Sequence, residues 1–113
     1  QDERVLAAKE INRIIRKIDP SELIIMGGDF NVGVTRLGKG KYTYEESESY
    51  EEYEILKKQL EKLPNEKDTW FSDLGNGCID TIFYSKGIRL NKYETIEANG
   101  ASDHNAVFAE FDI

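Results

Sequence analysis

Four apolar residues, Leu23-Ile24-Ile25-Met26, run directly into Gly27-Gly28 and then Asp29-Phe30-Asn31. An unalternating apolar run of this length suits a strand buried on both faces. The glycines let the backbone turn tightly. Polar residues past the C-terminal end of a strand lie where open α/β sheets bind ligands. Side chains alternate along extended backbone, so Asp29 and Asn31 can point one way while Phe30 enters the core. A carboxylate beside a carboxamide can hold a water and a phosphoryl oxygen. The same pair also suits an Asx turn at a strand end.

Around this run the periodicity predicts an α-β-α-β-β-β order in one domain of α/β (α+β) class. Ala8, Ile11, Ile15 and Ile18 recur at helical spacing, widened by Val5 and Ile14. They predict an amphipathic helix of about four to five turns, stopped at Asp19-Pro20. Val32 to Tyr44 is rich in Gly and Lys without a period and reads as a loop. Its Lys39-Gly40-Lys41 tip suits either solvent or an anionic substrate. Glu45 to Leu63 reads as a second helix with Tyr53, Leu56, Leu60 and Leu63 as its stripe. Its six glutamates between Glu45 and Glu54 suit a helix N-terminus. Thr69-Trp70-Phe71 is a short strand and Asp73 to Gly77 a turn. Cys78 to Tyr84 is a strong strand, and Ile88 to Ile96 pairs back on it as a hairpin across Lys86-Gly87. Ala98 to Asn105 is a loop, and Ala106 to Phe111 the last strand.

Two further places carry chemistry. Asp80 lies in an apolar strand, where a carboxylate is costly unless paired. Its partner is either solvent on an open strand face or the chain's one histidine, His104. A carboxylate that orients an imidazole and favours its protonated form is a recurring device. Asp103-His104 sits in a loop, where His104 can donate to a phosphoryl oxygen and Asp103 can bind a metal directly or through water; a plain surface loop also fits. Phosphoester hydrolysis needs an aligned water, a neutralised phosphoryl group and rigid positioning. Asp, Asn and His suit those tasks, with a divalent metal supplying charge.

The chain has 113 residues and a net charge of −7, with 39% hydrophobic and 33% charged residues. One domain is the most this length holds. Duplex binding through the backbone needs a basic face, so the charge argues against a bulk duplex binder. No run approaches the ~18 apolar residues of a membrane span, and charged Gln1 to Ile18 does not read as a signal peptide. The single Cys78 makes no internal disulfide and reads as a small strand residue. It fits a reducing, cytoplasmic setting without fixing the compartment.

Gly-Gly-Asp-Phe-Asn after an apolar strand, Ile-Asp-Thr-Ile-Phe later and Ser-Asp-His before a final strand resemble, in order and setting, the C-terminal half of the endonuclease/exonuclease/phosphatase superfamily (DNase I-like). Arg4 with Ala7-Ala8 and Ile11 resembles the helix leading into that family's Gly-Asp-Phe-Asn strand. The resemblance implies half of a four-layer α/β/β/α sandwich, one mostly antiparallel sheet with helices on one face. It implies a metal-dependent phosphoesterase. Asp29 would orient or deprotonate the attacking water, and Asn31 would hold a phosphoryl oxygen. Asp80 would orient His104, and His104 would bind and polarise the scissile phosphate. Asp103 would contribute to a Mg²⁺ (or Mn²⁺) site, and Ser102 would shape the loop. Substrates would be phosphoesters: nucleic acid, a phospholipid headgroup or a small phosphate ester.

The resemblance also implies an N-terminal half bearing an early Asn, a metal-binding Glu and another His, none of which has a counterpart here. Gln1 in place of Met and the opening inside a helix suggest a fragment. Glu3 and Glu10 do not replace the missing Glu. The expectation is half of an active site, with a bare sheet face that meets the other half or drives self-association. The competing expectation is a non-catalytic fragment or interaction module that keeps the fold.

Overall fold

The computed structural model describes residues 3–47 and 50–113. Its elements are helix α1 (Glu3–Ile15), strands β1 (Ile25–Asp29), β2 (Val34–Gly38) and β3 (Lys41–Tyr44), helix α2 (Glu51–Leu56), then strands β4 (Leu60–Lys62), β5 (Trp70–Ser72), β6 (Gly75–Gly77), β7 (Asp80–Ser85), β8 (Arg89–Ile96) and β9 (Ala106–Asp112). Every strand pairing is antiparallel. The fold is of mixed α+β class. Its strands form not one sheet but a three-stranded sheet, β1-β7-β4, and the pairs β2-β3, β5-β6 and β8-β9.

The register of β1 on β7 organises the molecule. Ile25 faces Tyr84, Gly27 faces Ile82 and Asp29 faces Asp80, while Met26 faces Phe83 and Gly28 faces Thr81. Alternation therefore gives the sheet two faces. Met26, Thr81 and Phe83 point to the helices. Phe83 joins Val5, Ala8, Val32, Tyr53, Ile55, Leu56 and Leu60 in the core. Phe30 packs edge-on against Phe83 and Tyr53, with ring centroids 5.3 and 5.9 Å apart. Ile25, Gly27, Asp29, Asp80, Ile82 and Tyr84 lie on the other face. The expected strand buried on both faces is thus covered on one, because both helices pack on the same side, and Ile25 is 51% exposed.

Four further expectations are corrected. The segment from Val32 to Tyr44 contains a hairpin, not only a loop. Gly38 and Lys41 pair across Lys39-Gly40, both at positive φ, as a two-residue primed turn requires. The second helix spans only Glu51–Leu56, and Leu60–Lys62 joins the β7 edge as β4. All four stripe residues are still buried; β4 reaches that burial through the pleat of a strand. Glu48 of its acidic run lies outside the described residues. The hairpin expected between Ile88–Ile96 and β7 does not form, because β1 and β4 already occupy both edges of β7 and β8 pairs with β9 instead. Finally, α1 ends at Ile15 and continues as tight turns, Lys17 N–H to Ile14 C=O and Ile18 N–H to Ile15 C=O, before Asp19-Pro20 is reached.

Asn12 replaces an apolar residue on the buried side of α1. Its Nδ2 donates to Ile55 C=O at 2.6 Å and its own carbonyl accepts from Gln59 Nε2 at 3.0 Å, so it fixes α1 against the end of α2. No helix among the described residues is long and apolar enough to cross a membrane.

Candidate active site

The site is built where β1 ends. Phe30 N–H still donates to Ile79 C=O at 2.8 Å, and then Asn31 turns into the left-handed region at φ 52°. Asn tolerates that conformation better than most residues. Asp29 Oδ1 accepts from Asn31 N–H at 2.9 Å, an Asx turn. The α1 residue Arg4 donates through Nη1 to the Asn31 carbonyl. The strand alternation expected to align Asp29 and Asn31 stops at Asp29, yet both line one open cleft of about 630 Å³. The Asx turn and the site geometry therefore coexist, since the turn uses only one carboxylate oxygen.

The other oxygen faces the histidine. His104 Nδ1 lies 2.8 Å from Asp80 Oδ2, and Nε2 lies 3.8 Å from Asp29 Oδ2. The first distance is a strong charge-assisted hydrogen bond. The second is too long for one, so Nε2 keeps its donor for another acceptor.

Burial alone would lower the His104 pKa, but the hydrogen bond and charge of Asp80, then the charges of Asp29 and Asp103, outweigh it and raise the pKa above the ordinary value. Burial also raises the Asp29 pKa, opposed by the Asn31 N–H and helped by the charge of Asp80. A carboxylate whose pKa is raised is a stronger base than one at its ordinary value.

Residues the sequence reading did not single out hold this group in place. Thr69 is buried, and its Oγ1 accepts from the backbone N–H groups of both Ile79 and Asp80, at 2.9 and 3.0 Å. Buried Asn65 donates to Asp80 C=O at 2.9 Å and accepts from Thr81 Oγ1 at 2.6 Å. On the histidine side, His104 bridges to Trp70, Phe71 N–H donates to Asp103 C=O at 3.0 Å and Asn105 N–H donates to Thr69 C=O at 2.8 Å. Thr69 thus ties the Asp80 strand to the His104 loop. Nothing in its local sequence marks it; only a neighbouring strand's open N–H groups create its role. Ser102 Oγ accepts from His104 N–H at 3.1 Å and shapes the loop locally.

Asp103 is exposed and lines a second cleft with Lys41, Tyr42, Trp70 and Leu74. The trio whose ligand atoms lie within 4.8 Å of one another is Asp29, Asp80 and His104. That spacing is close to the roughly 4–5 Å across the first coordination sphere of a hard divalent cation. Carboxylate oxygens suit such an ion, whereas the imidazole Nδ1 is already engaged by Asp80. The donor set fits an oxygen-preferring metal held mainly by carboxylates and water.

Against known proteins, the family profile described as endonuclease-reverse transcriptase, within the endonuclease/exonuclease/phosphatase superfamily, matches residues 2–108. The chain belongs to that family. Members of the superfamily are generally hydrolases acting on phosphoester bonds, nucleases among them, and generally use divalent metals. No curated protein and no solved structure matches the chain.

Proposed function

We propose that the chain is the C-terminal half of a metal-dependent phosphodiesterase site, with Asp29, Asn31, Asp80 and His104 as its working residues. The observation that carries this reading is the Asp80–His104–Asp29 line, hydrogen-bonded at one end and open at the other. Asp80 holds His104 Nδ1–H and favours the imidazolium. His104 Nε2–H donates to a non-bridging oxygen of the scissile phosphate. Asn31, in the same cleft as Asp29, donates its amide to a phosphoryl oxygen. Asp29 takes a proton from the attacking water, the role its raised pKa suits. Asp103, directly or through water, would contribute to holding Mg²⁺ or Mn²⁺. The ion would supply positive charge against the phosphoryl oxygens.

The open part of the β1-β7-β4 sheet supports the domain reading. Ile25 is half exposed there beside Gly27 and the face leads to Asp29 and Asp80, while Phe111 already covers Tyr84 at its other end, with ring centroids 4.9 Å apart. We propose that this face packs on a second sheet from the other half of the domain, which brings the further metal-binding carboxylate.

The test is hydrolysis of bis-p-nitrophenyl phosphate with Mg²⁺ or Mn²⁺, measured on the 113-residue protein and on a version extended upstream, each beside His104→Ala. The expected result is turnover in the extended protein that falls at least about 100-fold in the variant, as loss of acid–base and phosphate-binding help predicts. Turnover indifferent to His104→Ala overturns the reading.

A further inference from the structure

The β2-β3 hairpin has no part in the mechanism above, yet it forms a wall of the cleft that holds Asp29 and Asn31. Arg36 and Tyr42 are cross-strand partners, so their side chains share one face of the hairpin, and both line that cleft. Tyr42 also lines the second cleft, which contains Asp103 and Trp70. It is the ridge between the two. The residue is 39% exposed.

The hairpin's charge sets it apart from the rest of an acidic chain. Residues 32–44 contain Arg36, Lys39 and Lys41 and no Asp or Glu. Arg4, in the same cleft, is engaged by the Asn31 carbonyl and pairs with Glu52 at 3.8 Å. Arg36 makes no ion pair among the described residues.

The hairpin is also anchored. Tyr44 lies so close over Gly77 that a Cβ there would come within 2.3 Å of its ring. The Tyr50 hydroxyl meets the Tyr44 hydroxyl at 3.3 Å and donates to Glu45 C=O at 3.0 Å. Arg36 and Tyr42 are therefore presented on a fixed base, beside the group that would cut a phosphodiester.

A guanidinium free for an anion and an exposed phenol ring, side by side, match the repeat of a nucleic-acid strand, which carries a phosphate and a stackable base in every unit. We propose that Arg36 and Tyr42 form a strand-holding subsite, Arg36 gripping the phosphate next to the scissile one and Tyr42 stacking on the adjacent base. They are positioning residues, and the proposal rests on the phosphodiesterase reading for the location of the scissile bond.

Binding separates the two claims. Anisotropy of a fluorescein-labelled single-stranded oligodeoxynucleotide, titrated in EDTA at several salt concentrations, reads the subsite without turnover. Arg36→Gln is expected to weaken binding about tenfold at low salt and to lower the log–log salt slope by about 0.7, the value of one phosphate contact on a single strand. Tyr42→Ala is expected to weaken binding about tenfold while Tyr42→Phe stays near wild type, and the Tyr42→Ala loss should vanish on an oligonucleotide with an abasic site. Lys17→Gln, which removes one charge beyond the end of α1, should leave binding within about twofold.

Equal affinity of wild type, Arg36→Gln and Tyr42→Ala overturns the subsite. So does wild-type binding to vesicles of anionic phospholipid but not to the oligonucleotide. Binding with the expected sensitivities, but no hydrolysis of any phosphodiester by the version extended upstream with Mg²⁺ or Mn²⁺, leaves the subsite standing and removes the phosphodiesterase reading.

Discussion

The two faces of the β1-β7-β4 sheet are made by alternate residues of the same strands, yet they do different work. On the helix side, Phe83 is 0% exposed and meets the rings of Phe30 and Tyr53. On the other side, apolar Ile25 stays open to solvent and the face ends in Asp29, Asp80 and their contact with His104. One strand cannot place its acidic residues in a solvent-reachable cleft and bury them too, since an unpaired buried carboxylate is costly. The pleat separates the tasks. Residues 26, 81 and 83 face the core, and the chemistry proposed above falls to 29 and 80.

The sharpest way to break this comparison is at Phe83. Truncation to Ala removes the ring shared by both helices and the Phe30 anchor, and should cost about 3–5 kcal/mol. That is a large part of what a domain of this size has. Urea unfolding monitored by circular dichroism measures it. A loss near that of an exposed site would mean that the helix side is not the stabilising face.

Asp80→Asn attacks the other face. It keeps size and most polarity but removes the charge that favours the imidazolium. The expected result is a drop of about 100-fold or more in phosphodiester turnover with a change in stability below about 1 kcal/mol. The pH–rate profile supplies a second readout, because the limb assigned to His104 should move to lower pH when Asp80 no longer raises its pKa. A profile that keeps its shape would place the proton elsewhere.

Asn65→Ala lies between the two. It leaves the Asp80 carbonyl and the Thr81 hydroxyl without their partner in a buried setting, at about 1–3 kcal/mol by unfolding. It should also lower turnover, because it loosens the strand that carries Asp80.

The same comparison explains what could be read in the chain. Asp29, Asp80 and His104 were legible because each stands beside a pattern that fixes its direction, an apolar run, a strand or a strand-initiating loop. Leu60 and Leu63 were legible as core but not as strand: a helical stripe and a short β-edge bury them equally, and only the free edge of β7 decides between them. The β2-β3 hairpin was illegible because Val34 to Leu37 lacks clean alternation and because its pairing depends on Tyr44 finding the glycines of β6, Gly75 and Gly77, distant along the chain and close only in space. Thr69 and Asn65 were illegible for a related reason. Their value lies in backbone groups of another segment, which no local pattern records.

Ile25→Ser is a smaller effect and sharpens the comparison by its context. In the 113-residue protein it replaces a half-exposed apolar side chain and should change stability by no more than about 0.5 kcal/mol. In a version extended upstream it should cost more than 1 kcal/mol, because a face that packs on a second sheet loses a buried contact. Equal effects in both would remove the second sheet from this face.

The smallest expected effect is the pH dependence of stability set by the site itself. His104 has a folded pKa above its unfolded value, so its contribution is fully present below about pH 6.5 and is lost as pH rises through the folded value. Asp29 is also raised, so its contribution likewise favours the folded state at low pH and is lost as pH climbs from about 4 through its folded value. Both groups are partly solvated, which keeps the change modest. Stability should therefore decline gently as the solution is made more alkaline across this range. In His104→Ala the part above pH 6.5 should flatten while the Asp29 part remains. Urea midpoints at a series of pH values measure both parts, and an unflattened upper limb in the variant would show that the site's histidine is not coupled to folding.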